Sequence, residues 1–168
     1  MMRAALDKLY GAAATLAALC MIGVLVCVLV SIISRQVSVH IPGMDAYAGY
    51  FMAGAGFLAL ASTFKHGEHI RVTLLLNALA KKHRMRLDIF ALLVSCVLAV
   101  ALAWFSVKLV HDSRLYNDVS TGNDATPLWL PQIAMAVGAI LFVVALVDET
   151  ANRLRGIEAV KTEEAHHE

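Results

Sequence analysis

Four long apolar stretches, at residues 9–33, 46–64, 89–107 and 128–147, contain no charged side chain. At about 1.5 Å per residue, each is long enough to cross a hydrocarbon core roughly 30 Å thick as a helix. Inside lipid no water satisfies the backbone, so a crossing segment must close its own hydrogen bonds, and a helix does so. The rest of the composition agrees. Of the 168 residues 60% are hydrophobic and 16% charged, whereas about a quarter of a soluble domain is charged. The sequence therefore predicts an all-α membrane protein with four transmembrane helices. Residues 1–155 form a single four-helix membrane domain, and 156–168 read as a flexible, acidic cytoplasmic tail. The first stretch is too long for a signal peptide, and no small-x-small cleavage site follows it.

Charge gives the expected orientation. An even number of spans puts both termini on one side. Eleven of the fourteen Lys and Arg residues fall in the N-terminal segment, the loop between spans two and three, and the C-terminal tail. The outer side keeps only Arg35, Lys108 and Arg114. The positive-inside rule then places both termini in the cytoplasm. Within the middle loop, residues 70–80 are apolar but too short to span, and a basic run at 81–86 follows. This predicts an amphipathic interfacial helix between spans two and three, with its basic end at anionic headgroups. Gly67 offers the corner that leads into it. The net charge of +1 gives no nucleic-acid footprint.

The spans carry packing signals rather than chemistry. Gly49 and Ala53, Ala55 and Ala59, and Ala134 and Gly138 are each four apart. Small residues at this spacing let helix backbones approach in lipid, where little hydrophobic drive exists between helices. Pro127 and Pro131 bracket the start of span four, where a missing N–H costs nothing. Arg35 and Asp45 flank the short first outer loop. They are solvated interfacial charges, or else an ion pair or a partner contact, and an exposed pair is worth only about 0–1 kcal/mol. Cys20, Cys27 and Cys96 lie in spans, form no CxxC pair and read as packing residues. His66, Glu68 and His69 crowd together without the HExxH spacing of a zinc site. No histidine lies in a span to serve as an axial haem ligand. No span holds the buried carboxylate that proton-coupled export would use. The sequence thus predicts neither an enzyme, nor a metal site, nor a cofactor site.

Several of these residues carry a family resemblance. Phe57-Leu58, then Lys65-His66-Gly67-Glu68-His69-Ile70-Arg71-Val72, then Thr126-Pro127-Leu128-Trp129-Leu130-Pro131-Gln132, set among four spans, resemble the small, DctQ-like membrane subunit of tripartite ATP-independent periplasmic (TRAP) transporters. The resemblance covers roughly residues 9–150 and marks Arg35, Asp45, Phe57, Gly67, His69, Arg71, Pro127, Trp129 and Pro131 as family-motif or structural positions. It implies a scaffold subunit in the bacterial inner membrane, beside a large membrane subunit that carries the substrate and sodium sites. A periplasmic binding protein would deliver an organic acid to the pair. Two departures stand out: Met44 and the single Asp45 replace a Trp and an acidic pair, and Ala59 replaces a Gly. Two other classes remain open from the residues alone, a small electron-transfer subunit and an autonomous small transporter.

Overall fold

A computed structural model describes residues 2–39, 41–65, 81–122 and 124–154. Four α-helices make up nearly all of it: α1 (Met2–Gln36), α2 (Met44–Lys65), α3 (Lys81–Leu115) and α4 (Trp129–Leu154). Each contains a segment long and apolar enough to cross a membrane. The segment 70–80 lies outside the described residues, as do Gly67, His69 and Arg71.

The helix ends follow from local chemistry. After α1, Ser38 turns left-handed at φ 57°. Its N–H bonds the Arg35 carbonyl, and the Val39 N–H bonds that of Ser34 at 2.9 Å. This pair of bonds is the Schellman stop, which satisfies carbonyls that the helix leaves open. The same device ends α3. Asn117 takes φ 52°, and the Asp118 N–H reaches the Ser113 carbonyl at 2.9 Å. Asn tolerates this conformation because its short polar side chain bonds locally. Between α3 and α4 the chain doubles back. The Ser120 N–H bonds the Thr126 carbonyl at 2.9 Å, and the Leu128 N–H that of Asp118 at 3.0 Å. Pro127 pairs with Val119 in this short antiparallel bridge. Pro131 falls in the first turn of α4, where no carbonyl awaits its N–H.

The helices form an open row. α1 packs on α2, α2 on α4 and α4 on α3, while α1 and α3 share no substantial contact. Most residues packed between helices are small. Ala13, Ala17, Ala55, Ala61, Ala139 and Ala145 are buried, as are Gly54 and Gly138. The large apolar side chains of α1 and α3 point outward, among them Leu19, Ile22, Leu25, Phe90, Val97 and Leu98. A water-soluble core has the opposite arrangement. In lipid the bulky side chains lose nothing by facing outward, and small ones let backbones meet.

Hydroxyls inside the helices bond back to their own backbone. Ser106 Oγ donates to the Leu102 carbonyl at 2.7 Å. Thr150 Oγ1 donates to the Leu146 carbonyl, also at 2.7 Å. Such bonds remove the desolvation cost of a hydroxyl without any water.

Candidate functional site: the loop end and the open helix faces

Two regions of the surface carry features beyond helix packing. One is the end of the row where residues 37–43 and 116–128 connect the helices, here called the loop end. The other is the outward side of α2.

At the loop end, the two connections interlock through small residues. Gly43 (φ 84°) faces Asp124 so closely that a Cβ on the glycine would lie 2.7 Å from the aspartate Cβ. Side-chain bonds then cross from α2 to the hairpin. Tyr50 Oη donates to Asp124 Oδ2 at 3.0 Å, and Thr126 Oγ1 donates to Tyr47 Oη at 3.2 Å. The two tyrosines meet edge to face at 6.0 Å. The Ser120 hydroxyl beside Asp124, helped by those of Thr126 and Tyr50, holds its carboxyl down to about 2 from the ordinary 3.8. On the other side of the hairpin, the Arg114 guanidinium lies 5.6 Å from the Trp129 ring centroid, within cation–π range.

Arg35 and Asp45 do come near each other. Arg35 Nη2 lies 3.9 Å from Asp45 Oδ2, with side chains 78% and 84% exposed. That separation exceeds a charge-assisted hydrogen bond, about 2.7–2.9 Å. Ser31 Oγ donates to the other carboxylate oxygen, Oδ1, at 3.4 Å. These residues line an open pocket of about 400 Å3 between the end of α1, the start of α2 and the hairpin.

The other sequence-derived positions divide into packed and open ones. Phe57 and Gly138 are brought together: a Cβ on Gly138 would lie 2.4 Å from the Phe57 carbonyl carbon and oxygen. Ala55 is buried, and Ala59 and Ala134 are half-buried. Gly49 and Ala53, by contrast, are exposed. A Cβ on Gly49 or Gly56 would meet nothing within 4 Å. Met52, on the same side of α2, is also exposed. α1 and α4 therefore pack on one half of α2, through Phe51, Gly54, Phe57 and Leu58, and leave the other half open.

Residue patterns alone had not marked two groupings. The first centres on Asp124, which in sequence is only one member of a turn-rich stretch. Its partner Tyr50 sits 74 residues away on α2. The second lies at the opposite end of the row. Lys65 pairs with Asp7 and places its Nζ 4.7 Å above the Tyr10 ring. The ring is buried against Ala61 and Ala145, with Leu6, Phe64 and Leu141 around them. Its lysine lid was not legible in the sequence, because Tyr10 and Lys65 lie on separate helices.

No Asp, Glu, Lys, Arg or His occupies the middle of any of the four membrane-crossing segments. Among the described residues, no three of His, Cys, Asp and Glu are grouped to hold a metal ion. What the arrangement offers is surface: long outward apolar faces and a polar, interlocked loop end.

Residues 24–156, most of the chain, match the family model described as "Tripartite ATP-independent periplasmic transporters, DctQ component". A search of curated proteins finds no match.

Proposed function

Since the chain belongs to the DctQ-component family of tripartite ATP-independent periplasmic transporters, a transporter component and not an enzyme, we propose that it serves as the fixed scaffold beside a large membrane subunit. In this reading the large subunit moves the substrate, an organic acid, with sodium, and a periplasmic binding protein delivers it. One observation carries the proposal. The crossing segments hold no charged residue at mid-depth, while most of the large apolar side chains of α1 and α3 face outward. A chain that moved a charged solute by itself would need polar groups within the membrane. A brace needs only a wide apolar surface and rigid helices.

The same reading orients the molecule. The loop end faces the periplasm of a bacterial inner membrane, and the termini and the 65–81 connection lie in the cytoplasm, as the distribution of Lys and Arg indicates. Residues 70–80 would lie flat at the inner leaflet. Arg35, Asp45 and Arg114 stand at the face that a binding protein would approach. Replacing them weakens its docking more than it weakens folding, because all three are exposed.

The deciding experiment is deletion of this chain in cells that keep the other two components. Sodium-driven uptake is expected to collapse, and the tagged chain is expected to co-purify with a larger multi-span protein. Uptake at the wild-type rate without the chain would defeat the proposal.

A further inference from the structure

The loop-end pocket presents opposite charges side by side. Arg35 is in the last turn of α1 and Asp45 in the first turn of α2. At 3.9 Å they are close enough to share a ligand and too far apart to satisfy each other by a hydrogen bond. Ser31, Ser34 and Ser38 add hydroxyls to the lining, and Val39 and Ile41 add an apolar rim. A simple anion in the pocket would be drawn to Arg35 and repelled by Asp45. A simple cation would meet the reverse. A zwitterion with its two charges a few ångströms apart suits both.

The position of the pocket narrows the ligand further. It lies where two membrane-crossing segments end, at Gln36 and Met44, which is the depth of lipid headgroups. Below it, on the face of α1 that carries Arg35, come Val28 and Met21, both exposed. They are spaced seven residues apart, or two turns, so they form an apolar track about 20 Å long under the pocket. A polar cradle above an apolar track has the outline of a phospholipid.

We infer that this pocket binds the phosphate–ammonium headgroup of phosphatidylethanolamine, with Arg35 on the phosphate and Asp45 on the ammonium. The primary ammonium supplies N–H donors to the Asp45 carboxylate. The quaternary ammonium of phosphatidylcholine has none, and phosphatidylglycerol has no positive charge. The headgroup exchanges a weak, solvated ion pair for two charge-assisted contacts. This inference depends on the helices crossing a bilayer and not on the transporter reading.

The test uses the full chain in detergent, with native mass spectrometry to count retained lipid. Short-chain phosphatidylethanolamine, phosphatidylcholine and phosphatidylglycerol are supplied at equal concentration. Phosphatidylethanolamine should be retained about tenfold better than the other two, the worth of one charge-assisted hydrogen bond. Asp45→Asn should bring it down to the phosphatidylcholine level, and Arg35→Gln should weaken all three. Val39→Trp, which fills the pocket from its exposed rim and leaves both charges, should abolish retention and guards against misfolding of a charge variant. Equal retention of the three lipids, or a preference that survives Asp45→Asn, would overturn the inference. Free phosphoethanolamine displacing the lipid at equal concentration would overturn the lipid source.

Discussion

Gly138 shows how much one hydrogen atom in place of a methyl can decide. Its backbone touches that of Phe57, and a Cβ would overlap the Phe57 carbonyl at 2.4 Å. Gly138→Ala must push α4 away from α2. Overpacking of this kind costs about 1–3 kcal/mol, so a clear drop in Tm is expected in a detergent melt. Gly56 makes the control, because a Cβ there meets nothing within 4 Å. Gly56→Ala should leave Tm unchanged or raise it, since Ala favours the helix by up to about 1 kcal/mol. Asp124 gives a pH signature. Its folded carboxyl is held at about 2, first by the Ser120 hydroxyl and then by those of Thr126 and Tyr50. A depressed folded pKa stabilises above the unfolded value and loses that effect as pH falls through the folded one. Tm should therefore fall between about pH 4 and pH 2. Asp124→Asn should be less stable than wild type at pH 6 and should lose that part of the acid dependence.

Among the elements, α2 has two unlike halves. One is filled by α1 and α4 through close contacts at Gly54 and Phe57, and the other presents Gly49, Met52, Ala53 and Gly56. In the scaffold reading this open half is where a helix of the large subunit comes nearest, since small residues permit backbone approach in lipid. Gly49→Leu and Gly56→Leu should leave the melting of the isolated chain within about 0.5 kcal/mol of wild type, as surface substitutions do. The same variants should reduce recovery of the large subunit in a pull-down. Full recovery with both variants would place the contact elsewhere, on α1 or α3. The lengths of the helices add a constraint. α1 and α3 have 35 residues each, about 52 Å, well beyond a core of roughly 30 Å. They must tilt or project from the bilayer, whereas α2, with 22 residues, nearly matches it.

For the whole molecule, cysteine labelling tests the orientation that the Lys and Arg distribution supports. Thr121→Cys, in the hairpin, should react with a membrane-impermeant maleimide in cells whose outer membrane alone is permeable. Glu149→Cys, at the far end of α4, should react only after the inner membrane is opened. Single cysteines along 70–80 should share the behaviour of Glu149→Cys, with reactivity repeating at the 3.6-residue helical period. Labelling of Glu149→Cys before lysis would invert the topology and remove the binding protein from the loop end. The molecule itself is an open row, braced at the loop end by Asp124 and the two tyrosines and at the other end by Lys65, Asp7 and Tyr10. Bracing at both ends suits a rigid support.

The four helices were legible in the sequence because lipid imposes one requirement on a crossing segment, and charge-free runs of that length meet it in only one way. The starts and stops were partly legible, since Pro127 and Pro131 act locally. The family was legible through two short motifs, and residues 24–156 match it. The order of helices in space was not. All four are apolar nearly all round, so no periodic stripe tells which face meets a neighbour and which meets lipid. Small residues occur on both halves of α2, and only the three-dimensional packing separates the half that holds Gly54 from the half that holds Gly49. Asp124 gained its role the same way, because its partner Tyr50 becomes a neighbour only after two connections, far apart in the chain, have closed on each other.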